Sequence, residues 1–175
     1  MKTPEEIFEM LKSKFGEDIL ELKPAQPLDA IVSVNPLKIK EICIFLYYDK
    51  SLSFDSLMCL SAVDDANGEK VKDERDIETI NGGTLSIYYS LDSIKLRHKI
   101  TLKISVPREN PETYSVESVW KCADWHEREA YDMFGIKFID HPDLRRILLP
   151  DDWEGYPLRK DYLVPEFYQG MKVPY

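Results

Sequence analysis

The sequence predicts an α+β protein, a two-layer sandwich with helices covering one face of a mostly antiparallel sheet, followed by an extended, proline-rich C-terminal tail. Three observations predict it. Residues 95–106 alternate without a break: Leu96, His98, Ile100, Leu102, Ile104 and Val106 on one side, Lys95, Arg97, Lys99, Thr101, Lys103 and Ser105 on the other, the pattern of a strand half buried and half wet. Apolar residues at helical spacing stand before and after the predicted strands. Beyond residue 140 periodicity stops, and five of the eleven prolines lie there, so neither a long helix nor a central strand can form.

Thr3, Pro4 and Glu6 supply an N-cap, a first-turn proline and a capping box, and Ile7, Leu11 and Phe15 form one stripe that Gly16 can close. After a Pro24/Pro27 connector, residues 28–34 read as a strand. Asn35-Pro36 repeats the cap-plus-proline signal and starts a helix to about Tyr48, apolar nearly all round and so expected to be well buried. The continuous apolar run 57–63 suits a central strand. Asn81-Gly82-Gly83 and Asp92-Ser93 bracket two further strands as turn signals. The next element is a helix over about 115–134, with Val116, Val119, Trp120, Ala123, Ala130, Tyr131 and Phe134 on its stripe. The expected organisation is a core domain over 1–140 and a tail over 141–175.

The 175 residues carry a net charge of −9, and 43% of them are hydrophobic. That supports a real core, and the acidic balance counts against binding nucleic acid or an anionic membrane surface, both of which need a basic face. Cys43, Cys59 and Cys122 form no C-x-x-C pattern; buried thiols in a reducing compartment are expected. The start shows no apolar signal region, and the longest apolar run, 42–48, falls far short of the ~20 residues that cross a bilayer. Any membrane association is therefore expected through partner proteins only.

Between Glu127 and Tyr162, nine acids and six bases fill 36 residues, interleaved with Tyr131, Phe134, Phe138, Trp153, Tyr156 and Tyr162. Interleaving suggests ion pairs held against aromatic surface. Glu127 falls on the apolar stripe of its helix, where a carboxylate must be paired. Pairing with Arg128, Arg145 or Arg146 is expected; a general acid of raised pKa is the other reading, and with Asp132 it would make a hydrolase or isomerase of paired carboxylates. His126-Glu127 opens like a zinc-protease helix, but Ala130 stands where the second histidine belongs. His98 reads as a satisfied core residue and His141 as a turn residue bonding backbone. Gly82-Gly83 lacks the lysine and following helix of a phosphate loop. The cationic row Lys95, Arg97, Lys99 and Lys103 reads as a solvated face before it reads as a docking stripe. No residue is expected to be catalytic.

The tail also carries Trp153, Tyr156, Leu158, Tyr162 and Phe167. Ordering it costs ~1–2 kcal/mol per residue in backbone entropy, so it needs a surface to lie on.

Glu127-Arg128-Glu129, Asp132-Met133-Phe134, His141, Arg145 and Ile147-Leu148 resemble the signature of the C subunit of NADH-quinone oxidoreductase, the small peripheral-arm subunit of respiratory complex I. The similarity extends through Gly155-Tyr156-Pro157-Leu158-Arg159-Lys160-Asp161-Tyr162 and back to Trp120–Trp125; the N-terminal half agrees in layout only. Tyr156 departs from the His of many members, an aromatic being usual in photosynthetic and ferredoxin-fed relatives, which leaves the electron donor open. The resemblance implies an α/β domain that binds no cofactor and no metal, in a translocating complex that uses NADH or another donor, FMN, iron–sulfur clusters and quinone. It implies a peripheral place on the cytoplasmic face of the inner membrane, beside the large quinone-site subunit and the iron–sulfur subunits. Glu127, Arg128, Glu129, Asp132, His141, Arg145 and Arg146 are then expected as a structural ion-pair motif. Trp153, Tyr156, Leu158, Arg159, Lys160, Asp161 and Tyr162 are expected at the partner interface, and a chain cut after Pro150 should fold but not assemble. The alternative is the equivalent subunit of a ferredoxin- or deazaflavin-fed complex or of a membrane-bound hydrogenase.

Overall fold

The computed structural model of the protein describes residues 1–24, 30–72 and 78–173. Helix α1 (Pro4–Phe15) starts as its sequence dictates: Thr3 Oγ1 accepts from Glu6 N, and Glu6 answers by accepting from Thr3 N. Its stripe residues Ile7 and Leu11 are wholly buried. Strand β1 (Ile19–Lys23) was not legible, since only Ile19 and Leu22 of its side chains turn toward the core. Strand β2 (Ile31–Val34) lies within the expected 28–34; Leu28 and Asp29 fall outside the described residues.

Asn35 does act as a cap, its Oδ1 accepting from Leu37 N at 3.0 Å, but the element it caps is a short 3-10 turn that leads into α2 (Ile39–Tyr48). Ile39, Ile42, Cys43 and Leu46 are buried, whereas Ile44 and Tyr48 are exposed. The all-round burial expected of this helix is thus corrected to one wide face.

Three longer strands, β3 (Ser56–Asp64), β6 (Thr84–Ser93) and β7 (His98–Pro107), complete the main sheet in the order β1-β2-β7-β6-β3. The three are antiparallel to their neighbours among themselves, and β2 runs parallel to β7. Strand β3, expected at the centre, is an edge strand. Leu57 and Leu60 are buried while Met58, Cys59, Ser61 and Val63 are exposed, and a bulge between Leu57 and Cys59 breaks the run's phase. Between β3 and β6 stands a hairpin of β4 (Glu69–Lys72) and β5 (Glu78–Asn81). The clean alternation does give β7, but the strand starts at His98. Asp92-Ser93 belong to β6, and the turn falls one step later, with Arg97 at φ +56°. Thr101, read as wet, is buried where β2 runs alongside. His98 is a satisfied core residue, with Nε2 2.6 Å from Leu52 O.

A small parallel pair, β8 (Glu112–Tyr114) and β9 (Lys137–Ile139), brackets α3 (Ala123–Phe134). The helix begins eight residues later than expected. Residues 115–122 form turns instead, because Glu127 reaches back and takes Ser115 Oγ (2.6 Å) and Val116 N (2.8 Å). Local capture of those groups competes with helical bonding. Val116, Trp120 and Ala123 still enter the core, Trp120 Nε1 donating to Phe54 O at 3.1 Å. Gly135 ends α3 in the left-handed region, at φ +74°.

Of the three thiols only Cys43 is buried; Cys59 and Cys122 are exposed. No helix among the described residues is long and apolar enough to cross a membrane.

A candidate assembly surface at the end of α3

Helix α3 is the base on which residues 141–162 are built. Asp132, wholly buried, accepts on Oδ2 from Ile147 N (3.1 Å), Leu148 N (2.7 Å) and Leu149 N (2.9 Å), and on Oδ1 from Arg146 at 2.7 Å. Burial pushes this carboxyl up, but four donors outweigh it and hold its pKa below the ordinary value. Arg146 goes on to Trp153 O (3.0 Å) and Gly155 O (3.2 Å), so one guanidinium stitches α3 to two later turns.

Arg128, also buried, does not touch Glu127. Its Nε and a terminal nitrogen donate to Arg145 O and Arg146 O, and its guanidinium lies 5.2 Å from the Trp125 ring. Arg145 pairs with Asp143 on the surface at 2.9 Å, and Glu129 is exposed. Of the expected ion-pair motif, then, the structure forms Asp132–Arg146. The arginine partner expected for Glu127 is absent. Its carboxylate is held by Ser115 and Val116, with His141 Nε2 at 3.9 Å. Burial outweighs those two hydrogen bonds and pushes the Glu127 pKa up to about 7, with Glu117 and Asp124 adding to the rise. The Glu127 contacts run from serine to carboxylate to histidine, so the imidazole stands behind the carboxylate and not beside the serine hydroxyl, unlike the order of a serine–histidine–carboxylate triad. His141 bonds backbone as expected: its Nδ1 accepts from Asp143 N, and its Nε2 lies 3.3 Å from Asp124 O. Glu127 and Asp132 are both wholly buried and capped by donors of their own chain, which removes the support for paired-carboxylate catalysis.

Further on, Tyr156 is stacked between Arg159 (4.8 Å) and Arg146 (5.6 Å) and lies on Gly135. A Cβ at Gly135 would stand 2.5 Å from the Tyr156 ring. Gly135→Ala is therefore expected to combine left-handed strain with displacement of that ring. The cost is about 1–3 kcal/mol, read in urea unfolding together with a change in near-ultraviolet circular dichroism. Arg159 Nε donates to Phe134 O at 2.7 Å, and Lys160 N to Asp64 Oδ2 at 2.8 Å. Asp161 meets Arg108 at 2.9 Å, and Arg108 also pairs with the buried Asp64. Trp153 Nε1 donates to Tyr162 Oη at 3.1 Å.

From His141 to Tyr162 the chain thus runs back over its own domain rather than extending from it at residue 140. The aromatics expected to face a partner are only half exposed and engage one another or arginines. What stands free is apolar: Leu148, Leu158, Leu163, Val164, Phe167 and Met171 are each more than half exposed. The Asp64–Arg108 pair was missed. Its signal was present, since Asp64 continues the buried phase of Leu60 and Ala62, and Arg108 that of Ile104 and Val106.

A mixed α/β domain of this kind occurs in solved structures. The chain matches the trypsin-resistant fragment (1-134) of Nqo5 with a TM-score of 0.59 and 25% identity, over 80% of this chain and 98% of that one. A chain of the membrane-bound sulfane sulfur reductase, an archaeal respiratory membrane complex, shares the fold at a TM-score of 0.62 and 20% identity, over 90% and 84%. In sequence, residues 32–168 match the family "Respiratory-chain NADH dehydrogenase, 30 Kd subunit", and the chain belongs to that family. Relatives named as the C subunit of NADH-quinone oxidoreductase are 43% identical over 96% of this chain in Chloroherpeton thalassium and 39% over 96% in Chlorobium phaeobacteroides. Another, in Salinispora tropica, is 41% identical over 81%. The chain spans 64%, 93% and 54% of those three proteins.

Proposed function

We propose that the chain is a structural subunit of the hydrophilic arm of an NADH:quinone oxidoreductase, bracing the quinone-site and terminal iron–sulfur subunits while electrons pass through those neighbours. NADH or another donor, FMN, iron–sulfur clusters and quinone would all be held elsewhere in the complex. The chain would sit peripherally on the cytoplasmic face of the membrane through its partners. Family membership and the NADH-quinone oxidoreductase relatives support this reading. The observation that carries it is the segment after α3, where a buried carboxylate and two arginines tie the chain to α3 and leave apolar residues, Leu158, Leu163, Val164, Phe167 and Met171, exposed. Exposed apolar residues gathered in one segment support an interaction site there.

The partner-wrapping part is accordingly 163–173, and the informative cut moves. Removing everything after Pro150 would strip Lys160 N and Asp161 from the buried Asp64–Arg108 pair and Arg159 from Phe134 O, so that chain is expected to fold with lower stability. A chain ending at Tyr162 keeps those bonds. It is expected to unfold at the same urea concentration as the full chain, yet fail to co-purify with the large subunit; normal assembly of that form would refute the role given to 163–173.

A further inference from the structure

We propose that the groove between the free edge of β3 and α3 takes an extended, basic segment of a partner subunit, which adds to the sheet as a sixth strand. Asp65 N donates to Thr84 O, and the register pairs Val63 with Ser86, Ser61 with Tyr88 and Cys59 with Ser90. Alternation then turns the amides and carbonyls of Cys59, Ser61 and Val63 toward β6, and those of Leu60 and Ala62 outward. Among the described residues no backbone partner meets them. A cleft of about 240 Å³ lies along this edge, lined by four consecutive β3 residues, 59–62, whose side chains come from both faces of the sheet. Only an opening at the strand's edge meets both faces.

Its other wall is one stripe of α3, His126, Glu129, Ala130 and Met133, at helical spacing, with Leu158 closing the end. An edge and a helix stripe side by side form a slot for an extended chain, in which main-chain bonds give affinity and side-chain pockets give selectivity. The volume falls below the ~300–1,000 Å³ of a small-molecule pocket. Ala62 and Ala130 are small enough to let a backbone approach. The chain's net charge of −9 and the exposed Glu129 on the rim select a basic segment, with an apolar side chain turned toward Met133. Leu158 belongs both to this groove and to the exposed apolar residues described above, so the proposal rests on the reading of the chain as a subunit.

The test is residue-resolved hydrogen exchange on the chain alone and in the purified complex, in a Cys122→Ser background that leaves Cys59 as the exposed thiol. The amides of Leu60 and Ala62 are expected to slow at least a hundredfold in the complex, while those of Cys59 and Ser61 are slow in both. Cys59 should lose its reactivity toward a maleimide on assembly. Ala62→Pro removes one outward donor and spares the ladder to β6; it should fold, with unchanged protection at Ser61, and incorporate at least tenfold less well. A complex that forms with Leu60 and Ala62 exchanging as fast as in the free chain overturns the strand while leaving the structural role standing. A chain that never co-purifies overturns both, and equal protection in the isolated chain, with dimers in solution, makes the occupant a second copy and overturns the partner strand.

Discussion

Asp132→Ala is expected to lower the unfolding free energy by about 3–5 kcal/mol, the range for breaking a buried charge network by removing one partner. For a chain of this size that corresponds to a fall in Tm of roughly 10 °C. One carboxylate satisfies the N–H groups of Ile147, Leu148 and Leu149 and anchors Arg146, which in turn holds Trp153 O and Gly155 O. Alanine leaves a partly buried guanidinium without its counter-charge and three amides without an acceptor. Asp132→Asn keeps one oxygen and should lose about half as much, since its amide nitrogen must face either Arg146 or the three N–H groups. The effect also has a pH signature. Because the folded pKa lies below 3.8, the contribution is fully present above the ordinary carboxylate value and is lost as pH falls through the lowered one. A loss under 1 kcal/mol would show that Leu144 and Leu149, packed against the core, hold the segment instead.

The N-terminal half of the fold was legible where local chemistry acts alone. Thr3-Pro4-x-Glu6 fixes the start of α1, and Asn35-Pro36 caps the turn before α2, because each cap is completed within three residues. The alternation in β7 was equally plain, since a two-residue period survives any tertiary context. What failed were readings that depended on distant residues. The run 57–63 looks central by composition, yet it lies at an edge, and only the bulge after Leu57 reveals why its exposed half is apolar. The apolar stripe would start α3 at Ser115, and it is Glu127, twelve residues away, that takes Ser115 and Val116 out of the helix.

The charged stretch was found from sequence, but its pairing was not. Three arginines near Glu127 suggested ion pairs, whereas backbone carbonyls and Asp132 claim Arg128 and Arg146 first. Proximity along the chain does not say which acceptor a guanidinium reaches. The same holds for Tyr156, whose ring was expected to meet a partner and instead fills the space that Gly135 leaves open. Leu148, Leu158, Leu163, Val164, Phe167 and Met171 are the apolar residues of this stretch that stay more than half exposed among the described residues.

Glu127 gives the second large effect, and its sign is opposite to that of Asp132. Burial raises its pKa from 4.5 to about 7 against the pull of Ser115 and Val116, with Glu117 and Asp124 adding to the rise. His141, Tyr89 and the buried Cys43 thiol also stand around it; the Tyr89 hydroxyl is buried without a partner among the described residues, and burial, Glu127 and Cys43 push its own pKa up. Below about pH 4.5 the carboxyl is protonated in both the folded and unfolded chain. Between 4.5 and 7 the unfolded chain releases the proton while the folded one keeps it, so stability falls with rising pH and levels off above 7. Two and a half pH units at about 1.4 kcal/mol each give a loss of roughly 3 kcal/mol. Glutamine has the shape of the protonated acid and can keep both bonds. Glu127→Gln should match the natural chain at pH 4.5 and exceed it by about 3 kcal/mol at pH 8, measured as the difference between two urea titrations at each pH so that Asp132 and Asp64 cancel. If the two proteins differ by the same amount at both pH values, Glu127 is ionised in the folded chain throughout. Its site would then be an anion cradle, in which the Ser115 hydroxyl and Val116 N hold the carboxylate.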